Sequence, residues 1–409
     1  MTVLFTKRAA RRFCLLLLAF FLSGAAVLAA VHLRAWYHYR AAQSALAHYH
    51  FAEARNHLAV CLGIWPNSWR VHLLAARAER RDGAIHEAWD NLLWCQQKQP
   101  HEDAVFQEWA LLRAQTGELS AVEDYLREQL RRGSDWAPLI EEALIEGYIR
   151  TYRLGPAKAG IDDWLGRQPN DTQALFLQGC LWQQIQQPQK ALASYRRAVA
   201  LDPQRDDARW RLAQCLLPLG LYEEANLHLE YLHRFYPQNA EITVDLATAR
   251  FKQGQVTEAR QLLDAVLAEH PDNEAALRER GRLALADESA SEAEKWLRQA
   301  EKRNPHDAQL LPLLTLALEH QGKHDEAQIL QDRFQQNDRD FQRLAQICLK
   351  ELGERPNDPV LHSELGALLL RLGYQEAGRN WLLLALQEDP NSTSARAALE
   401  GVNQTEQRP

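Results

Sequence analysis

Residues 172–205 read TQALFLQGCLWQQIQQPQKALASYRRAVALDPQR. Two segments with apolar residues at helical spacing flank a polar break at Gln187-Pro188, and Pro203 ends the unit. Proline recurs at 169, 203, 237, 271 and 305, always 34 residues apart. Alanine keeps the same interval at 157, 191, 225, 259, 293 and 327, and small residues keep it at Gly179, Ala213, Ala247 and Gly281. Three residue classes in one phase define a repeat array, and the unit is a helix–turn–helix. Small residues at the Gly179 and Ala191 positions let paired helices approach, while Trp182 and Tyr195 fill the space beside them. The proline stops the second helix and turns the chain into the next copy.

The register extends in both directions. Upstream it holds at Ala54 with Pro66 and Ala88 with Pro100, with turns at Gly83 and Gly117, and a one-residue insertion falls in the 131–138 turn. The regular middle turns at Gly220, Gly254 and Gly322, or at Gly155-Pro156 and Gln187-Pro188. Ten copies begin near 35, 69, 103, 138, 172, 206, 240, 274, 308 and 359. The period breaks once, because Pro356 lies 51 residues after Pro305 and leaves a 17-residue surplus. That surplus sits in a polar helical stretch, 324–352, read either as one overlong helix or as two with a break at Asn337-Asp338. Residues 391–400 read as a capping helix and 401–409 as a disordered tail. No run alternates with strand period, so the predicted class is all-α.

The unit resembles the tetratricopeptide repeat (TPR) family, on Leu175, Gly179, Trp182, Ala191, Tyr195, Ala198 and Pro203. The resemblance implies a right-handed α-solenoid of helix–turn–helix units over 35–390. It also implies that first helices line a concave face that binds extended peptides or protein segments. The family's inward positions select Phe176, Trp210, Val244 and Phe251, then Arg278 and Arg282, and in an early copy Arg70, Leu73, Arg77, Arg80 and Arg81. On one reading the aromatics anchor an apolar side chain of a partner and the arginines meet acidic groups. On the other they pack between helices and the arginines are merely solvated. The two-carboxylate clamp of some family members is not carried over, because Phe176 and Cys180 stand where it needs Lys and Asn.

Ahead of the array, residues 13–33 read FCLLLLAFFLSGAAVLAAVHL, with no charge from Phe13 to Val31. Such a segment is long enough to cross most of a bilayer core. Residues 1–12 carry Lys7, Arg8, Arg11 and Arg12 and no acid, which keeps a short basic N-terminus in the cytoplasm and exports the array. Trp36, Tyr37 and Tyr39 follow at interface depth. A signal-anchor is one reading; a cleaved signal peptide with Val27-Leu28-Ala29 at the cleavage site, and hence a secreted body, is the other.

Net charge is −7, and the acid lies outside the basic N-terminus, which argues against nucleic acid as a partner. Six cysteines show no CxxC spacing, and Cys61 and Cys95 share one repeat position as small packing residues. His86-Glu87 and His101-Glu102 lack the second histidine of HExxH, and no nucleophile elbow, phosphate loop or dinucleotide fingerprint occurs. His320 and His324 flank a turn and read as surface histidines. The expectation is a non-catalytic scaffold without metal or cofactor, anchored in a membrane and binding proteins or peptides. The alternative is an adaptor subunit of a machine for glycan, lipid or cytochrome assembly in the cell envelope.

Overall fold

The computed structural model describes residues 2–406, with side chains at 18 and from 20 to 401, and among them every regular element is helical. The chain divides into two compact units, Met1–Ala114 with Ser120–Ile140, and Gln115–Leu119 with Glu141–Pro409. The first helices in chain order are α1 (Thr2–Ala47), α2 (Phe51–Ile64), α3 (Trp69–Arg81), α4 (Ile85–Lys98), α5 (Asp103–Thr116) and α6 (Leu119–Arg131). Next come α7 (Ala137–Arg150), α8 (Leu154–Arg167), α9 (Thr172–Gln184), α10 (Pro188–Leu201), α11 (Asp206–Leu216), α12 (Tyr222–Phe235), α13 (Ala240–Lys252) and α14 (Val256–Glu269). The rest are α15 (Glu274–Ala286), α16 (Ala290–Arg303), α17 (Leu310–Glu319), α18 (His324–Gln346), α19 (Leu352–Glu354), α20 (Pro359–Arg371), α21 (Gln375–Glu388) and α22 (Thr393–Glu406). Along most of the chain each helix packs on the one before and the one after it, so the core is a row of interfaces between helix pairs.

In the first unit, α1 has two parts with different surroundings. Phe20, Phe21, Leu22, Val27, Leu28 and Leu33 are exposed, and by length and apolarity the stretch from Phe20 is a candidate membrane span. Side chains from Phe13 to Leu17, and those of the basic N-terminus, lie outside the described residues. From His32 onward the helix is held by α2. Trp65 Nε1 donates to His32 Nδ1 at 2.7 Å, Cys61 Sγ donates to the Ala35 carbonyl at 3.3 Å, and Ala35 and Ala42 are fully buried. Cys95 repeats the Cys61 contact one copy later, donating to the Trp69 carbonyl at 3.4 Å, and burial pushes its thiol up to about 12.

One residue per copy turns the chain between its two helices in the left-handed region. These are Tyr49, Gly83, Gly117, Tyr152, Gln186, Gly220, Gly254, Glu288, Gly322 and Gly373. The turn expected at Gly155-Pro156 is displaced: both residues lie inside α8, and the positive φ falls on Tyr152, because a proline is accepted in the first turn of a helix. The close approach needs glycine elsewhere. A Cβ on Gly179 would run into the Tyr195 ring, one on Gly281 would meet Leu297 at 2.5 Å, and one on Gly366 would meet Leu382 at 2.6 Å.

In the second unit the 17-residue surplus becomes the back half of α18, which continues unbroken past Asn337-Asp338 to Gln346. A π-turn, Ile347–Glu351, follows it. Leu344, Ile347 and Cys348 are buried there, and the carboxylate of Asp340 receives Arg371 Nε at 2.8 Å and Nη2 at 2.9 Å from α20. The last pair then returns to the first. Trp381 Nε1 donates to the Thr151 carbonyl at 2.7 Å, and the rings of Tyr152 and Tyr374 lie 5.1 Å apart. At the C-terminus, helix replaces the expected disorder as far as Glu406: Ala395, Ala398 and Leu399 dock on the Leu382–Ala385 cluster and nucleate a helix that no proline interrupts. Residues 407–409 lie outside the described residues.

Candidate functional site

The first helices of the second unit do not present the continuous apolar strip that the repeat register suggests. Val244 is 3% exposed and packs with Ala247, Ala259 and Leu263, so it belongs to the core and is removed from the candidate surface. Phe251 is half-buried against the same cluster. Trp210 donates its indole N–H to Asp245 Oδ2 at 2.8 Å, and Gln214 reaches the same oxygen at 3.3 Å. Burial raises the Asp245 carboxyl to about 6 despite those two donors.

The arginines are also committed. Arg278 meets Glu279 at 3.1 Å and also pairs with Asp307, while Arg282 Nε meets Glu279 at 2.9 Å. Glu279 is 3% exposed, so its charge requires these partners. In the first unit Arg77 and Arg80 each donate to Glu108 at 2.9 Å, and neither Arg80 nor Glu108 is exposed. Those two guanidinium groups hold the Glu108 carboxyl below its usual range against the opposing effect of burial. Arg80 is therefore a core ion pair and not a partner-binding residue. Arg77 also lies 4.5 Å from the Trp136 ring, and Arg81 donates to the Leu46 carbonyl at 3.0 Å. Arg70 faces solvent beside Trp69 and enters no ion pair among the described residues.

Phe176 is a predicted residue that opens onto the larger of the cavities described, while Arg77 and Arg81 line a smaller one in the first unit. Arg205 sits 4.7 Å over its ring, and the Tyr195 ring lies 5.8 Å away. Within the second unit, a cavity of about 650 Å³ is lined by Phe176, Leu177 and Cys180 of α9. Further lining comes from Arg150, Tyr152 and Arg211, and from Tyr374, Gln375 and Asn380 of the last pair. Its size is within the range of sites for small ligands or short chain segments. The cavity exists because the Thr151–Trp381 bond brings first and last repeats together, and contact between residues 230 apart leaves no local sequence pattern.

The cavity wall offers hydrogen bonding rather than nucleophiles. Tyr195 donates to Gln183 Oε1 at 2.7 Å, and burial raises both the Tyr195 phenol and the Cys180 thiol above their ordinary values. Arg211 is exposed at the wall and donates to Gln214 at 3.2 Å, with no ion pair among the described residues. Nor do the described residues hold any group of three or more His, Cys, Asp or Glu side chains that converge as metal ligands.

Parts of this chain are similar to known proteins. Residues 185–229 and 220–283 match a family model described as tetratricopeptide repeat. Anaphase-promoting complex subunit 7 of Mus musculus is 32% identical over 126 residues, which cover 31% of this chain and 21% of that protein. The chain thus spans about a fifth of the length of that relative. Among solved structures, human IFIT1 in a dimer with m7Gppp-AAAA aligns at 16% identity with a TM-score of 0.45, over 78% of this chain and 90% of that one. A tetratricopeptide repeat protein from Parabacteroides merdae aligns at 16% identity with a TM-score of 0.37, over 70% and 99%. The chain is an all-α solenoid of helix pairs, and its segment 185–283 carries tetratricopeptide repeats.

Proposed function

We propose that the protein is a membrane-anchored scaffold that holds a segment of a partner protein at the cavity beside Phe176. Tetratricopeptide repeats are protein-interaction modules, and stacked repeats present extended binding surfaces. The observation that carries the reading is the pairing of an exposed apolar helix, Phe20 to Leu33, with a repeat array in one continuous chain. The basic residues ahead of that helix favour a cytoplasmic N-terminus and an exported array. Phe176 supplies an aromatic face and Arg150 and Arg211 supply cationic edges, a combination suited to a segment with both apolar and polar side chains.

The test is site-specific photocrosslinking in the native membrane. A photoreactive residue at Phe176 or Arg211 should capture one partner, and the same residue at exposed Leu227 should not. Equal capture at all three positions, or recovery of the protein in the soluble fraction after mild lysis, rejects the corresponding half of the reading.

A further inference from the structure

In the first unit, α4, α5 and α6 leave a row of aromatic rings uncovered. Trp89 of α4 meets Trp109 of α5 edge to face, with centroids 4.6 Å apart. Phe106, one turn before Trp109, meets Tyr125 of α6 in the same way at 5.2 Å, and the Tyr125 hydroxyl donates to Gln107 Oε1 at 2.7 Å. Phe106 is 60% exposed, while Trp89 and Leu93, one turn apart on α4, are 38% and 39% exposed. Rings held by such contacts lose little freedom when a partner covers them, which suits them as anchors. The charges at the row are chiefly carboxylates. Glu102 and Asp103 stand a turn before Phe106 and enter no ion pair among the described residues. Burial, and after it the charge of Asp103, raises the Tyr125 phenol, so that carboxylate acts on the row itself. Asp90 is exposed between Trp89 and Leu93 on α4 and faces His86 at 3.9 Å. Arg113, two turns beyond Phe106, already has contacts of its own.

We propose that this row docks a basic amphipathic segment of a partner protein, with its apolar side chains on the rings and its arginines or lysines against Asp90, Glu102 and Asp103. Charge complementarity selects that occupant. An arginine can stack on the Phe106 or Trp89 ring and pair with a neighbouring carboxylate in one pose. The other occupants of an exposed apolar face are opposed by the same charges. An anionic bilayer surface would be repelled. A second copy of this chain, meeting through the same patch, would set carboxylate against carboxylate. The row is distinct from the cavity beside Phe176, which is built from the second unit, so it is a second recognition surface and does not depend on the first.

The test depletes a display library of random short peptides on the Phe106→Ser variant, then selects the remainder on the wild-type full-length chain in detergent. Survivors should combine arginine or lysine with aromatic or aliphatic residues. Titrated as labelled synthetic peptides, they should bind Phe106→Ser about 10-fold or more weakly. Asp103→Asn should weaken them by about 2–5-fold at low salt, an effect that fades as salt is added. Both variants should melt as the wild type does, and Leu227→Ser in the second unit should bind the peptides unchanged. No survivors, or survivors without basic residues, overturns the proposal. So does a detergent-solubilised dimer that Phe106→Ser dissociates, which gives the face to a second copy. A spin label at Phe106→Cys that, in reconstituted vesicles, relaxes with oxygen rather than with a polar nickel chelate overturns it in favour of the bilayer.

Discussion

At the scale of single residues, ten turns solve one backbone problem with two kinds of residue. Six use glycine, while Tyr49, Tyr152, Gln186 and Glu288 hold a left-handed conformation that strains any residue with a Cβ. Gly254 has no neighbour within 4 Å of an added Cβ, so Gly254→Ala isolates that strain and should cost about 1–2 kcal/mol in chemical denaturation. Glu288 is exposed in the equivalent turn, and Glu288→Gly should stabilise by a smaller amount, about 0.5–1 kcal/mol, because glycine loses more backbone entropy on folding. The small-residue register was legible from spacing; turns without glycine were not, since tyrosine or glutamate in αL leaves no compositional mark. Asp245 gives a second residue-scale expectation. Its folded pKa of about 6 lies above the unfolded value of 3.8, so the folded state holds its proton more tightly. The stabilisation is therefore present below pH 4 and is lost as pH rises through 6. Asp245→Asn should raise the melting temperature at pH 7.5 by an amount that shrinks as pH falls through 6 and vanishes only below pH 4. Arg278, Arg282, Arg77 and Arg80 show the corresponding limit of the sequence reading. Their inward register could be counted, but not their partners: Arg77 and Arg80 share Glu108 of the next copy, and Arg278 and Arg282 share Glu279 of their own helix.

At the scale of elements, α18 matters most. Its 23 residues carry the chain beyond an ordinary second helix, and the π-turn lets the last pair start from a new position. The surplus could be read from the interval between Pro305 and Pro356, but its consequence could not. The Thr151–Trp381 bond and the Tyr152–Tyr374 contact join copies at opposite ends of the second unit. Trp381→Phe keeps an aromatic ring and removes the N–H donor, leaving the carbonyl of half-buried Thr151 without this partner. The expected loss is about 1 kcal/mol. Because the bond holds only the last pair, hydrogen exchange should speed up in Pro359–Arg371 and Gln375–Glu388 while α13 and α14 are unaffected. Uniform acceleration across the second unit would mean that the seam supports the whole array rather than its end.

At the scale of the whole molecule, the array and the apolar helix are one chain with separable roles. Every described contact that α1 makes with α2 lies at His32 or beyond, while Phe20, Phe21, Leu22, Val27 and Leu28 touch no packed core. Stability in a repeat array comes from each pair and its neighbours, so an unpacked leader contributes nothing to it. Removing residues 1–30 should therefore leave the melting transition of the repeats within about 0.5 kcal/mol of the full chain, the range of surface changes. The same truncation should move the protein from the alkali-resistant membrane pellet to the supernatant. The two readouts separate the possible roles of α1. Loss of stability with solubility unchanged would make the apolar stretch part of the fold. Release with stability intact would make it an anchor whose continuation, from His32 to Ala47, is the first helix of the array. The same fractions carry one more discriminator: a full-length chain already shortened near Ala29 in the native membrane would identify a cleaved signal rather than an anchor, with the first repeat still complete from His32 onward.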